Sequence, residues 1–409
     1  MLPELTSEAE PLPLLAKPRR PVVLVDNKYA LTNAIECVSQ DQDWLALDAE
    51  RASGFKYSQR AYLVQFSNRT DSIFLLDPIA FSTEDLDPLV AAVNQRPWIL
   101  HAATQDLGCL AELGFKPQRI FDTELTARLC GFERVGLGAV CELALSVRLA
   151  KEHSAADWST RPLPDTWLDY AALDVDVLHE MVDYLEAEID RSGKSQIVAE
   201  EMHHLVGFAP KGPKEDPWRS LSNFHDMSEP RQLAIAKALW EARDNLARKL
   251  DVSPGRLLPD RSIIHAAIAG HKSKSALAGD KEFNGRASRS YLDLWWQAST
   301  QGANATQLPP MRVQGSGIPN HRNWAQKFPE ANERLLKAKP VVAKYATDLA
   351  IPAENLLTPD YLRQVCFEPE ENIANQLLRL GARNWQVNLL AEEISRAWEQ
   401  PLPDQSPAS

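Results

Sequence analysis

Short apolar runs of strand type mark the first half of the chain. The run Leu45–Leu47 leads into Asp48-Ala49-Glu50, and β-type runs at 61–66 and 72–76 follow it, which predicts a three-strand meander. Further short strands near 98–101 and 120–121 alternate with helical patterns, the last predicted as one long helix over 164–189. Hairpins followed by strands that alternate with helices predict a mixed α/β sheet rather than a uniform βαβ repeat.

The pattern turns wholly helical after residue 206. A Pro/Gly/charge-rich segment at 207–218 and a Gly/Pro-rich segment at 301–320 are typical of linkers. The run 351–357 weakly echoes 252–258, which indicates a duplicated helical module. We therefore predict the following organisation: flexible tail 1–20, α/β domain 21–206, linker 207–218, helical domain 219–300, linker 301–320, second helical domain 321–400 and tail 401–409.

Carboxylates recur where the predicted strands and helices end. Asp48 and Glu50 share one face of their strand because side chains alternate along it. Two close carboxylates repel by about 4 kcal/mol at a protein surface, so such a pair needs water, a proton or a bound cation. Asp106 opens a helix directly after a strand, and Tyr170 and Asp174 share a helix face at i,i+4. Each feature alone is common in a chain with 56 acidic residues.

Charge is distributed unevenly along the chain, whose net charge is −12. Residues 1–210 carry 18 Lys and Arg against 33 Asp and Glu, whereas residues 211–300 carry 15 against 11. An acidic first domain suits solubility or cation binding, and the basic surplus suits phosphate contacts. Five scattered cysteines indicate reduced thiols and a cytoplasmic location. No apolar run reaches the length of a membrane span, and we expect a monomer.

Taken together, the acidic motifs resemble those of a known enzyme family. Asp48-x-Glu50, Asp106 and Tyr170-x-x-x-Asp174, in this order, resemble the three motifs of the DEDDy 3′–5′ exonucleases, and within these the ribonuclease D family. The resemblance covers roughly residues 20–205 and extends to Tyr62-Leu-Val-Gln65, Leu100-His-Ala102, Phe121-Asp-Thr-Glu124 and Asp157-Trp-Ser-Thr-Arg161-Pro162-Leu163. One departure is Ala49, where many members have Thr.

The resemblance implies a ribonuclease-H-like fold and a specific chemistry. It implies that Asp48, Glu50, Asp106 and Asp174 hold two divalent cations, Mg²⁺ or Mn²⁺, for 3′–5′ hydrolysis of structured RNA such as tRNA precursors. Hard cations prefer such oxygen ligands, and two ions can stabilise both the attacking and the leaving oxygen. Tyr170, with an ordinary pKa near 10, is a poor base at neutral pH, so its expected role is to orient the attacking water.

The helical half also resembles a known module. Three segments resemble an HRDC domain, the helical module found beside helicases and in ribonuclease D, and the second helical domain is expected to be HRDC-like. The segments are Pro217-Trp-Arg219, Leu239-Trp-Glu-Ala-Arg243 and Pro254-Gly-Arg-Leu-Leu-Pro259.

Four residues are candidate substrate contacts. Trp158 and Arg161 suit stacking on a base and binding a phosphate or packing a loop. His101 suits substrate contact or a satisfied structural role, and Gln65 is a further candidate for substrate contact. Asp176 is expected to be a solvated acid. Two alternative functions stay open: a 3′–5′ DNA exonuclease and a non-catalytic RNA-binding scaffold.

Overall fold

The computed structural model describes residues 11–150, 155–210, 212–283, 285–312 and 317–401. Most of the predicted tail 401–409 and the first half of the predicted tail 1–20 lie outside these residues. Three parts follow one another along the chain: an α/β domain (residues 14–206), a middle unit (residues 217–303) and a C-terminal unit (residues 321–399). Within the described residues, none of the helices combines the length and apolar character needed to cross a membrane.

A six-stranded mixed sheet forms the centre of the α/β domain, as the sequence pattern predicts. Its order is β2-β5-β4-β3-β6-β7; β4 is antiparallel to both β3 and β5, and the other neighbours are parallel. A separate parallel pair joins β1 to β8. The strands are β1 Leu14–Leu15, β2 Val22–Val25, β3 Leu45–Arg51, β4 Ala61–Ser67, β5 Ile73–Leu76, β6 Trp98–Leu100, β7 Ile120–Asp122 and β8 Arg148–Leu149.

Eight helices cover this sheet. They are α1 Lys28–Gln40, α2 Thr83–Asn94, α3 Leu107–Glu112, α4 Thr123–Leu129, α5 Leu137–Leu145, α6 Asp165–Asp176, α7 Leu178–Ser192 and α8 Ser195–Val206, with 3₁₀ turns at Pro78–Ala80 and Ala103–Gln105. The single long helix predicted over 164–189 is in fact two helices, α6 and α7, which meet at Val177 (φ −97°, ψ −13°).

Residues 14–20, which belong to the predicted flexible tail, contact the α/β domain. Leu14 and Leu15 pair with Arg148 and Leu149. The side chains of Arg19 and Arg20 reach the Asp176 carboxylate at 3.1 Å and 2.8 Å. The Asp176 side chain is fully buried by these contacts, so the expectation of a solvated acid was wrong. The two arginines tie the N-terminal segment to the end of the helix that carries Asp174.

The middle unit has a hydrophobic core of its own. Its long helix α9 packs against α11 and α14 around Leu239, Ile263 and Trp295, all fully buried. Its helices are α9 Pro230–Leu250, α10 Pro254–Leu257, α11 Asp260–Ala269, α12 Lys274–Ala278, α13 Arg286–Ser290 and α14 Leu292–Ala303, with 3₁₀ turns at Pro217–Ser220, Phe224–Asp226 and Lys281–Phe283.

The C-terminal unit instead shares one continuous core with the α/β domain. Gly131, at the end of α4, shows how closely the two approach, because a Cβ there would lie 2.7 Å from the Ala350 carbonyl oxygen. The helices of this unit are α15 Trp324–Lys327, α16 Pro329–Asp348, α17 Ala353–Leu356, α18 Pro359–Phe367, α19 Ile373–Leu380 and α20 Asn384–Glu399, after a 3₁₀ turn at His321–Asn323.

Candidate active site

Strand β3 presents two of the predicted acids at the centre of the sheet. Asp48 pairs with Gln65 and Glu50 with Leu63 on the antiparallel neighbour β4, while Ala49 between them is buried. Helix α6 packs across β3, β4 and β5 and brings Asp174 to the same place. One carboxylate oxygen from each of Asp48, Glu50 and Asp174 lies within 4.8 Å of the others. The two acids of β3 and the acid of α6 therefore lie together, as predicted.

Asp106 comes from a turn that another acid holds in shape. The turn follows β6, and Ala102 in it has a left-handed backbone (φ 60°). The buried Asp122 carboxylate accepts hydrogen bonds from the Ala102 and Ala103 amides at 3.1 Å and 2.8 Å. It also caps α4 by accepting a hydrogen bond from the Glu124 amide at 2.9 Å, a common role of aspartate at a helix N-cap. The turn places Asp106 next to Asp48, and the two carboxyl groups share a hydrogen bond.

Tyr170 stands one helical turn before Asp174 and donates a hydrogen bond to its carboxylate. Its ring lies 6.3 Å from that of Trp158, centroid to centroid, and Trp158 is fully buried. Burial, followed by the charges of Asp174, Glu50 and Asp48, raises the pKa of the Tyr170 hydroxyl above its ordinary value. The hydroxyl therefore keeps its proton at neutral pH and acts through hydrogen bonds rather than as a base.

The four acids border an open cleft of about 1000 Å³, and their pKa values are all raised. Burial raises the pKa of Asp48 to about 6. Burial and the charge of Asp48 raise the pKa of Asp106 to about 8 and that of Glu50 to about 10. Burial and the charges of Asp48 and Asp106 raise the pKa of Asp174 well above its ordinary value. Each raised pKa means that the charged form of the carboxyl group is disfavoured, because it is buried with too little positive charge nearby.

The donor set fits a divalent cation. Hard ions such as Mg²⁺ and Mn²⁺ take carboxylate and water oxygens, and three of the four carboxyl groups already meet the spacing of shared ligands. A cation among these oxygens would offset both the burial and the mutual repulsion that raise the pKa values. The structure thus supports the oxygen-rich metal site that the sequence indicates.

Arg51 is a cleft residue that sequence reasoning did not identify. Strict alternation along β3 places it on the face opposite Glu50, yet its long side chain lines the cleft, where its guanidinium lies 4.0 Å from the Asp106 carboxylate. Its charge opposes the rise in the pKa of Asp48, Glu50 and Asp106. Alternation along the strand carries no signal for this contact, so only the tertiary structure reveals the residue.

His101 lines the cleft beside the acids. Its Nδ1 lies 2.8 Å from the Thr123 hydroxyl, which itself donates to the Leu100 carbonyl. Burial lowers the pKa of His101 to about 4, so the imidazole is neutral at physiological pH. It stays a candidate substrate contact as a neutral hydrogen-bonding group.

The other three candidate substrate contacts are structural in this fold. Trp158 and Gln65 are fully buried, so neither can reach a base or a phosphate directly. The Arg161 guanidinium pairs with the Asp77 carboxylate at 2.5 Å and donates to the carbonyls of Tyr62, Trp158 and Thr160. The structure therefore favours the packing alternative for Trp158 and Arg161. Gln65 lies opposite Asp48 on the neighbouring strand β4.

Comparison with known protein families agrees with this geometry. Residues 22–190 match the family described as 3′–5′ exonuclease, and residues 232–298 match the HRDC domain. Residues 317–398 match a different family, described as the 3′ to 5′ exonuclease C-terminal domain. The HRDC-like character of the C-terminal unit therefore stays a prediction, whereas that of the middle unit is confirmed.

Whole-chain relatives extend the likeness beyond the cleft. Ribonuclease D of Escherichia coli (strain K12) is 31% identical over 375 residues, which cover 86% of this chain and 91% of that protein. Ribonuclease D of Jannaschia sp. (strain CCS1) is 31% identical over 331 residues, which cover 77% and 83%.

Solved structures share the whole arrangement. A crystal structure of a protein from Bifidobacterium adolescentis superposes with a TM-score of 0.85 at 38% identity, covering 95% of this chain and all of that one. The structure of E. coli RNase D shares the fold at a TM-score of 0.66 and 22% identity, covering 92% and 98%. With motifs, fold and whole-length relatives in agreement, this chain belongs to the ribonuclease D family of metal-dependent 3′–5′ exoribonucleases.

Proposed function

We propose that this protein trims the 3′ ends of structured RNA, tRNA precursors among them, with two divalent cations, Mg²⁺ or Mn²⁺, bound by Asp48, Glu50, Asp106 and Asp174. The observation that carries the proposal is the convergence of these four acids in one cleft, each with a raised pKa. The structure of E. coli RNase D is described as that of an exoribonuclease involved in structured RNA processing, which supports this substrate class. We also propose a cytoplasmic monomer.

Each residue has a distinct role in this proposal. When bound, the two ions supply charge that stabilises the attacking and leaving oxygens of an in-line displacement. The four carboxylates bind the ions, and the Tyr170 hydroxyl, which keeps its proton and is held against Asp174, orients the attacking water. Neutral His101 and cationic Arg51 line the same cleft, where they are placed to contact the terminal nucleotide.

The test uses a 5′-labelled tRNA precursor with a single-stranded 3′ trailer and a DNA strand of matched sequence. We expect stepwise shortening of the RNA from its 3′ end that slows at the paired acceptor stem, with less cleavage of the DNA. Chelation by EDTA and the substitution Asp174→Asn should each abolish the ladder. Asp169→Asn on the same helix is the matched control, since the Asp169 side chain is 36% exposed and pairs with Lys17 at 3.9 Å.

Two results would decide against the proposal. A ladder that persists with EDTA or in Asp174→Asn would remove the metal site. Faster cleavage of the DNA than of the RNA would favour the DNA exonuclease alternative. Tyr170→Phe sharpens the assignment of roles, because loss of one well-placed group costs on the order of 10²–10⁴ in turnover, while binding of RNA should stay nearly unchanged.

A further inference from the structure

A second set of metal-ligand side chains lies in the middle unit, outside the exonuclease cleft. His265 is on α11, His271 follows the Gly270 turn that ends this helix, and Asp280 follows α12. One ligand atom from each lies within 4.8 Å of the other two. Both imidazoles converge on the same carboxylate oxygen: His265 Nδ1 and His271 Nε2 lie 2.8 Å and 2.7 Å from Asp280 Oδ2.

The carboxylate at the centre is buried and fixed in orientation. The Asp280 side chain is 2% exposed, and its second oxygen accepts a hydrogen bond from the Glu282 amide at 2.9 Å. A hydrogen bond to the outer oxygen of a ligating carboxylate is the kind of contact that orients metal ligands. The backbone around it is held as well, because the Ser262 hydroxyl donates to the Glu282 carbonyl at 2.6 Å.

We propose that His265, His271 and Asp280 bind a divalent transition-metal ion, with Zn²⁺ the best match, and that solvent completes the coordination. Two imidazole nitrogens and one carboxylate oxygen are a donor set that zinc takes in proteins, at roughly 2.0–2.2 Å from each ligand atom. Around a tetrahedral ion such ligand atoms lie roughly 3.3 Å apart. The imidazole nitrogens therefore need to withdraw by roughly half an ångström from Asp280 to admit the ion.

The exposures favour entry of an ion from solvent. The His265 side chain is 55% exposed and that of His271 is 15% exposed, so His265 has the freedom to turn aside and His271 needs only a small shift. Binding requires each ligating nitrogen to carry its lone pair, which neutral imidazole provides with the proton on the other ring nitrogen. The carboxylate then supplies the negative charge that balances part of the ion.

The donor chemistry separates this site from the exonuclease cleft. The cleft offers oxygen ligands, which suit Mg²⁺ and Mn²⁺, whereas imidazole ligands suit Zn²⁺, Ni²⁺ and Cu²⁺. A bound ion would join the end of α11, the turn after it and the 3₁₀ turn Lys281–Phe283. It would thereby stabilise the middle unit, which has a core separate from that of the α/β domain.

The experiment uses the full-length protein stripped of metal and equilibrated with a small excess of Zn²⁺ while several millimolar Mg²⁺ occupies the carboxylate cleft. Bound zinc is counted by mass spectrometry after dialysis, and the unfolding midpoint of the middle unit is followed by tryptophan fluorescence. The wild type should retain one equivalent of zinc more than the variant His265→Gln/His271→Asn. Zinc should raise the midpoint of the wild type and leave that of the variant unchanged.

A matched control is available within the same unit. His225 lies 3.4 Å from Asp226, and the two side chains are 84% and 52% exposed. His225→Gln should retain zinc as the wild type does. The single variant His265→Gln guards against misfolding, because it alters an exposed side chain and should still lose the equivalent of zinc with unchanged circular dichroism. The proposal would be overturned if the wild type and both His265 variants retained equal amounts of zinc, or if Mg²⁺ displaced all of the zinc. The cluster would then be a set of structural hydrogen bonds.

Discussion

The middle unit and the C-terminal unit are both helical and follow the same α/β domain, but they contact it through different kinds of interaction. The C-terminal unit continues the hydrophobic core of the α/β domain. It adds a buried ion pair between Arg383 and Glu201, and the Trp385 indole donates to the same Glu201 carboxylate at 2.9 Å. The middle unit has its own core, so its attachment rests on surface contacts.

Most of the hydrogen bonds among those contacts fall on one loop, residues 52–60, which follows the acidic strand β3. The Arg256 guanidinium donates to the Gly54 carbonyl at 2.8 Å and lies 4.0 Å from the centre of the Phe55 ring. The Ser253 amide donates to the Phe55 carbonyl at 2.8 Å, and the Tyr57 hydroxyl donates to Asp244 at 3.0 Å. Gly54 and Phe55 also line the cleft. The more weakly attached unit is thus the one that touches the rim of the active site.

The comparison teaches that sequence similarity between helical modules does not predict how they attach. A shared core makes the C-terminal unit part of the folding unit of the exonuclease. We therefore expect a chain that ends at residue 206 to be unstable, although all the catalytic residues lie within it. The separate core of the middle unit allows it to unfold alone.

A large expected effect tests whether the middle unit unfolds independently. A Cβ at Gly302 would lie 2.5 Å from the Ile235 Cα and 2.6 Å from the Ala234 carbonyl oxygen, where α14 packs against α9. Gly302→Ala should destabilise the middle unit by about 3 kcal/mol, the upper end of overpacking costs. In urea the transition of the middle unit should shift while that of the α/β domain stays in place. Gly255→Ala, which meets nothing within 4 Å, is the control; a joint shift of both transitions would show one folding unit.

Removal of Arg383 tests the attachment of the C-terminal unit. Arg383→Ala leaves Glu201, whose side chain is 2% exposed, without its ion-pair partner, and breaking a buried pair costs about 3 kcal/mol or more. The free energy of unfolding of the shared core, measured in urea, should fall by this amount. Arg379→Ala is the control, because the Arg379–Glu370 pair is 58% and 50% exposed and is worth at most about 1 kcal/mol. Similar losses in both variants would mean that Glu201 is solvated.

Two glycines separate backbone strain from contact between the α/β domain and the C-terminal unit. Gly131 and Gly193 both have left-handed backbones, with φ of 87° and 67°, so alanine costs each about 1–2 kcal/mol. Only Gly131 also meets Ala350, whereas a Cβ at Gly193 meets nothing within 4 Å. Gly131→Ala should therefore lose roughly 1–3 kcal/mol more than Gly193→Ala in thermal unfolding. Equal losses of stability in the two variants would mean that the close approach of Gly131 to Ala350 does not contribute to stability.

A smaller effect, on activity, tests the contact between the middle unit and the cleft. Arg256→Ala removes one hydrogen bond and one cation–π contact from the rim loop, together worth about 1–2 kcal/mol. We expect kcat/KM on a short single-stranded RNA to fall severalfold, with little change in the unfolding of either core. Arg261→Ala is the control, since Arg261 is 73% exposed and pairs only within its unit with Glu282. If both variants cleave like the wild type, the loop is ordered without the middle unit.

The smallest expected effect concerns pH at the same contact. Asp251 accepts a hydrogen bond from the Ser58 amide at 2.9 Å. Burial raises its pKa, but hydrogen bonds from Ser58 outweigh this, so the pKa of Asp251 lies below its usual 3.8. A lowered pKa in the folded state means that the contact is fully formed above pH 3.8 and lost as pH falls through the lower value. The stability difference between the wild type and Asp251→Asn should therefore be constant from pH 5 to 8; a drift across that range would contradict this contact.

The sequence by itself indicated the catalytic constellation, through local pairs of residues and the order in which the family motifs occur. Alternation along one strand puts Asp48 and Glu50 on one face, and one helical turn joins Tyr170 to Asp174. Each of these relations spans five residues or fewer, which is the range that periodicity reports. The mixed sheet and the helical second half follow from the same local patterns.

Only the tertiary structure decided the relations between distant segments. The Arg51 guanidinium lies near Asp106 across 55 residues, Arg161 pairs with Asp77 across 84 residues, and Arg19 and Arg20 bury Asp176 across more than 150. The tertiary structure likewise decides that the C-terminal unit, and not the middle unit, shares the core of the α/β domain. Such contacts depend on how whole elements pack and on which buried charges they must neutralise, and no spacing within one segment of the chain carries that information.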